Sequence, residues 1–215
     1  MKKRWILLFG LCLICIKVSS QHFALKSNIL YDVTTTINLG VEFAIADQWT
    51  LDISANYNPW SFAQSEKEIS GVTIPAHDAK MKHWLIQPEV RWWTCEKFNG
   101  HFLGLHGHCG QFNVGGLTFL PDGWGDGFTD QNGDHHLDGL QHKRFQGWLV
   151  GAGLSYGYHW ILSDRFSLEF TIGAGYAYLS YDKYGIESCA PKEAEKYMHY
   201  IGPTKAGITA VFMLK

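Results

Sequence analysis

From Ile37 to Trp60 the chain alternates between apolar positions and small or polar ones. Ile37, Leu39, Val41, Phe43 and Ile45 are interleaved with Asn38, Gly40, Glu42, Ala44 and Ala46. After Asp47 and Gln48 the pattern resumes, with Trp49, Leu51, Ile53, Ala55 and Tyr57 set against Thr50, Asp52, Ser54, Asn56 and Asn58. Successive side chains on a strand point to opposite faces, so a period of two predicts an antiparallel hairpin with one apolar and one polar face. The polar face is built mostly of small residues and makes a poor water-facing surface. The apolar face carries Trp49 and Tyr57, whose spacing is ~26 Å along a strand, or ~20 Å of membrane depth once the strand tilts by ~40°. The hairpin predicts a barrel turned inside out: apolar toward lipid, aromatic at both interfaces, polar and small toward the lumen.

The same period recurs along the chain and predicts eight strands. The first runs from Phe23 to Tyr31, with Phe23, Leu25, Ile29 and Tyr31 outward and Ala24, Lys26 and Asn28 inward; the hairpin supplies the second and third. The fourth, His83 to Trp93, sends Trp84, Ile86, Val90 and Trp92 outward and Gln87, Glu89 and Arg91 inward. Its Pro88 removes a ladder donor, so a local irregularity is expected there. The fifth, His101 to Gln111, puts Leu103, Leu105 and Cys109 outward and His106 and His108 inward. The sixth alternates Trp148 through Trp160 outward against glycines and Ser155, and the seventh sets Leu168 through Tyr178 against Glu169, Thr171, Gly173 and Gly175. The eighth ends the chain, with Ala206, Ile208, Ala210, Phe212 and Leu214 outward. The fold class is therefore all-β, an eight-stranded antiparallel transmembrane β-barrel with up-and-down meander topology.

Connection lengths agree with this reading. Asp47-Gln48, Thr94 to Gly100 and Ser163 to Arg165 are short, whereas Pro59 to Lys82, Phe112 to Arg144 and Asp182 to Tyr200 are long; only the first outer loop, Asp32 to Thr36, is brief. Long outer loops alternating with short periplasmic turns is the pattern of an outer-membrane barrel. Residues 1–20 read as a signal peptide, with Lys2, Lys3 and Arg4 before an apolar run from Trp5 to Ile16 that is too short to span a bilayer, and with cleavage near Gln21. The barrel then occupies residues 21–215, and the outer membrane is the expected location. Cleavage removes four basic residues, turning 18 basic and 20 acidic groups into 14 and 20, a mature net charge of −6 that gives nucleic acid nothing to bind. Cys95, Cys109 and Cys189 remain, an odd number that indicates no disulfide framework.

With the strands laid out, a series of stretches in order, from NILYDVTTTINLGVE (Asn28 to Glu42) to GPTKAGI (Gly202 to Ile208), resembles a family of Bacteroidota outer-membrane barrels known as domain of unknown function 3575. The resemblance covers nearly the whole mature chain. It rests on NILYDVTTTINLGVE (Asn28 to Glu42), NYNPW (Asn56 to Trp60), KHWLIQPEVRWW (Lys82 to Trp93), FNGHFLGLHGHCGQFNVGG (Phe98 to Gly116), GxGxSYGYHW (Gly151 to Trp160), GYAYLSYDKY (Gly175 to Tyr184) and GPTKAGI (Gly202 to Ile208). It implies the barrel fold and no assigned reaction; family members tend to neighbour genes for fimbrial or surface-adhesin systems. The long third outer loop is where this chain departs most from that pattern.

Candidate chemistry lies in two places. The lumen collects Lys26, Glu42, Asp52, Glu89, Arg91, Glu169 and Lys205, both signs together, which predicts a salt-bridge network plugging the interior, with a gated narrow pore as the alternative. His106 and His108 project to the same side of one strand and could hold a metal with a carboxylate such as Glu89. In the third outer loop Asp130, Asn132, Asp134 and Asp138 have the spacing that begins a calcium loop, although Gln141 replaces the closing carboxylate and His135 the expected glycine. Calcium there is the one cofactor the chain suggests. Ser61, His77, Asp78 and His142 are candidate catalytic parts without a spacing that unites them, so no enzyme is expected. The expected role is structural, a barrel that supports adhesion or fimbria-like surface assembly through its loops. Its partners are then the outer-membrane lipid bilayer and surface adhesin or fimbrial proteins, with a narrow pore or cation-binding receptor barrel as the alternative.

Overall fold

The computed structural model describes residues 23–69, 72–74, 77–117, 140, 143–187 and 189–214. In chain order these form β1 (Phe23–Asn28), α1 (Ile29–Val33), β2 (Ile37–Ala44), β3 (Trp49–Gln64), β4 (Lys67–Ile69), β5 (Val72–Ile74), β6 (His77–Trp93), β7 (Gly100–Gly115), β8 (Lys143–Ile161), β9 (Phe166–Gly185) and β10 (Lys192–Leu214). Eight of the strands close a single antiparallel ring in the order β1-β10-β9-β8-β7-β6-β3-β2, while β4 and β5 form a separate small hairpin. Apart from the closure of β1 on β10, every ring strand pairs with its chain neighbours in the ring. The topology is an up-and-down meander, and closure leaves the ring no free edge at its waist.

The faces follow the period of two. Leu39, Trp49, Trp84, Leu105, Leu154, Trp160 and Ile172 are exposed outside the ring, whereas Lys26, Glu42, Asp52, Asn56, Glu89, Arg91 and Glu169 are buried inside it. That inverts a water-soluble protein. The aromatic spacing read from the hairpin is matched by its neighbour, because Trp49 pairs with Trp92 and Tyr57 with Trp84 across the β3–β6 ladder.

The end carrying the chain termini and the short turns is closed by buried apolar side chains: Ala24, Trp93, Phe98, Phe102 and Val211. Phe98 reaches in from the β6–β7 turn at φ 60°, a left-handed conformation that a bulky residue rarely adopts. Its ring lies 5.8 Å from that of Trp93, and this packing offsets the backbone cost.

Two expectations are corrected. The first strand ends at Asn28 and not Tyr31: the Asn28 side chain accepts the Leu30 N–H at 3.1 Å and caps α1, so Ile29 and Tyr31 lie on a helical turn. The span from Asp182 to Tyr200 is mostly strand, with β9 reaching Gly185 and β10 starting at Lys192; β3, β6, β7 and β8 likewise extend into what reads as loop. Ladder pairing with a neighbour carries these polar segments as sheet. The irregularity expected at Pro88 is present, as a gap in pairing between Ile86↔Cys109 and Glu89↔His106 across which the register of β6 on β7 is unchanged. The ring is consequently uneven in height, since β1 and β2 have 6 and 8 residues and β10 has 23.

Candidate functional site: the charged layer of the lumen

Register stacks like charges side by side. Glu42 faces Asp52 across β2–β3, and Asp52 faces Glu89 across β3–β6. Three carboxylates on adjacent inward positions repel unless a cation lies among them. Arg91, two residues along β6 from Glu89, supplies it. Its Nη1 lies 2.9 Å from Glu42 Oε2 and 3.0 Å from Glu169 Oε2, and its Nη2 lies 2.5 Å from Asp52 Oδ2 and 2.8 Å from Glu89 Oε2. Lys26 from β1 pairs with Glu42, lies 2.7 Å from Glu169 and 3.7 Å from Asp52; Lys205 from β10 lies 2.6 Å from Glu89.

Hydroxyls complete the layer. Thr50 donates to Glu42, Ser155 to Glu89, and Thr171 to Glu169 at 3.1 Å. The His159 ring stands 3.6 Å from Glu169, and the Arg91 guanidinium stacks 4.5 Å from the centre of the Phe102 ring. Room for all this comes partly from Gly104, where a Cβ would fall 2.2 Å from Glu89 Oε1 and 2.3 Å from Ser155 Oγ. The void left at this level is about 30 Å³, bordered by Lys26, Asp52, Arg91, Glu169 and Lys205, space for roughly one or two waters. Chemically the arrangement is a closed electrostatic plug, cations interleaved with carboxylates above an aromatic floor.

Farther from the turn end, His106 hydrogen-bonds Thr204 Oγ1 at 2.9 Å and its ring lies 5.8 Å from that of His108. Among the described residues no group of three His, Cys, Asp or Glu side chains is arranged to hold a metal, so the histidine-pair metal reading finds no third ligand here. Higher still, the lumen turns apolar, with Phe145, Ala177, Leu179 and Tyr181 buried against Phe112, Leu140, Leu149 and Met198. At the rim Lys192 pairs with Asp182 at 2.6 Å and Glu195 at 2.9 Å, and these hydrogen bonds, Asp182 first, keep its ammonium protonated well beyond the ordinary lysine range.

All seven charged lumen residues read from the sequence meet in one layer. Asp130, Asn132, Asp134 and Asp138 of the candidate calcium loop lie outside the described residues, as do His142 and the signal peptide. Of the candidate catalytic parts, Ser61 pairs across the ladder with Lys80, Asp78 pairs with Ala63, and the His77 ring bonds the Gly116 carbonyl at 2.9 Å. Sequence reasoning missed His159, Trp93 and Phe102, and it set Thr50 on the polar face without joining it to the charged layer. Parity was the available signal: each falls on the inward set of its strand, an even number of residues from another inward position.

Compared with known proteins, the chain is matched over residues 6–214 by the profile of one family, described as a protein of unknown function (DUF3575). No curated protein and no solved structure matches it.

Proposed function

The chain belongs to the DUF3575 family, whose function is unknown, so its role has to be argued from its own geometry, and we propose that it is an outer-membrane anchor barrel. It is exported by its N-terminal signal peptide and presents its rim hairpins to surface adhesin or fimbrial proteins, supporting adhesion or surface assembly.

The observation that carries this reading is the inversion of faces: exposed Leu, Ile, Trp and Tyr outside, bounded by the Trp49–Trp92 and Tyr57–Trp84 pairs, and charge inside. In water that exterior is an aggregation hazard, whereas in a bilayer it is the ordinary lipid-facing surface. Anchoring is favoured over transport because the charged layer leaves about 30 Å³ of void, too little for a continuous aqueous path. The rim, in contrast, is tall and polar, with β9 and β10 rising well beyond β1 and β2.

Purified full-length chain reconstituted into planar bilayers tests the reading. Insertion without steady openings at neutral pH supports an anchor; steady single-channel conductance would replace it with the narrow pore. Recovery of the chain from cells as a soluble periplasmic protein would defeat the membrane reading itself.

A further inference from the structure

Outside the ring, near the rim, the register lines up three rows of side chains across neighbouring strands. The middle row is Tyr57, Trp84, Gln111 and Trp148, each the ladder partner of the next. One outward step toward the rim stands Lys82, Asn113, Gln146 and Asp182, again in consecutive register. One outward step toward the turn end stands Ala55, Ile86, Cys109, Val150 and Tyr178. Between the aromatic and the amide rows runs a cleft of about 380 Å³, whose floor includes the backbone of Gly147.

We infer that this cleft binds the sugar headgroup of a glycolipid lying in the same leaflet, an inference that rests on the membrane reading above. The chemistry of its walls selects the class. Aromatic rings on one side, with the Gln111 amide between them, offer faces to the C–H surface of a sugar, and two amides and a carboxylate on the other side match hydroxyls that both donate and accept. Asn113 Oδ1 is buried without a hydrogen-bond partner, an acceptor awaiting a donor. Gln111 is oriented by the Trp84 Nε1–H, which donates to its Oε1 at 3.2 Å.

A phosphate headgroup fits less well. Among the described residues lining the cleft, Lys82 is the one lysine or arginine, and the Asp182 carboxylate shares the same wall. The lipid source follows from the lower row, since a sugar held in the cleft has Ile86, Val150 and their neighbours directly beneath it for its acyl chains.

The test uses the full-length chain in nanodiscs of phosphatidylcholine mixed with phosphatidylglycerol and glucosyl diacylglycerol of matched acyl chains. Lipid retained on the protein is counted by native mass spectrometry. Preferential retention of the glucosyl lipid is expected, falling at least about tenfold in N113A/Q146A, the loss that removing two hydrogen bonds produces. W148L, which alters only the aromatic wall, gives a second reading should the double variant fold poorly, and should also weaken retention. A barrel that enters nanodiscs but holds phosphatidylglycerol as well as the glucosyl lipid, or keeps its preference in both variants, overturns the inference alone. Methyl glucoside competing as well as the glycolipid would overturn the lipid source. A chain that never enters nanodiscs defeats the membrane reading instead.

Discussion

Asp52 and Glu89 face each other directly across the β3–β6 ladder, and one nitrogen of Arg91 bridges them, 2.5 Å from the first and 2.8 Å from the second. Two carboxylates at cross-strand positions are normally destabilising. Here the pair is the cradle of a buried guanidinium.

Arg91→Met should therefore cost about 3–5 kcal/mol, because it strands four carboxylates with two lysines in a space nearly closed to water. Urea titration of the refolded barrel measures it, and adding Glu42→Gln should restore part of the loss. An unchanged midpoint in the single variant would show that the layer is hydrated and screened.

Gly104 and Gly107 lie three residues apart on opposite faces of β7, Gly104 toward the lumen and Gly107 toward the exterior, and should behave differently. At Gly104 a methyl group would collide with Glu89 and Ser155 at little over 2 Å, whereas at Gly107 the nearest atom, Pro88 Cγ, is 3.7 Å away. Gly104→Ala should destabilise by about 1–3 kcal/mol, and Gly107→Ala should stay within roughly 0.5 kcal/mol of the parent. Equal effects from the two would mean that crowding at Glu89 is relieved elsewhere.

Phe98 and Phe102 both pack on Trp93, yet only Phe98 has positive φ. Phe102→Ala should cost about 3–5 kcal/mol. Phe98→Gly should cost about 1–3 kcal/mol less, since glycine removes the left-handed strain while the ring is lost. Thermal unfolding followed by heat-modifiable gel migration compares them directly.

Cysteine accessibility reports on membrane embedding. Cys95, Cys109 and Cys189 are all exposed, but Cys109 sits in the apolar band between Ile86 and Val150. In bilayers a charged, water-soluble maleimide should label Cys95 and Cys189 and spare Cys109, which becomes reactive on unfolding in urea. Prompt labelling of Cys109 in the reconstituted protein would contradict a lipid-facing exterior.

Parity along the chain was enough to assign nearly every wall residue to its face, since side chains on a strand have only two directions and the apolar set is unmistakable from Ile37 to Tyr57. It also named the seven charges of the lumen. It did not carry α1, because a local hydrogen bond from the Leu30 N–H to the Asn28 side chain outcompetes the continuing alternation of Ile29 and Tyr31, and hydrophobicity does not register a cap. Nor did it carry the rim strands: Lys192, Glu193 and Glu195 have the composition of a loop, and β10 exists there because β9 offers a ladder to pair with.

Which charges touch is a property of closure. Lys26 and Glu169 are 143 positions apart and come within 2.7 Å only because β1 closes the ring on β10 and register sets every inward residue at a height along the axis. The alternation that makes a barrel is a local, one-dimensional signal, legible residue by residue. The height at which each side chain meets its partners depends on strand stagger summed around the ring, and that sum is settled only when the last strand pairs with the first.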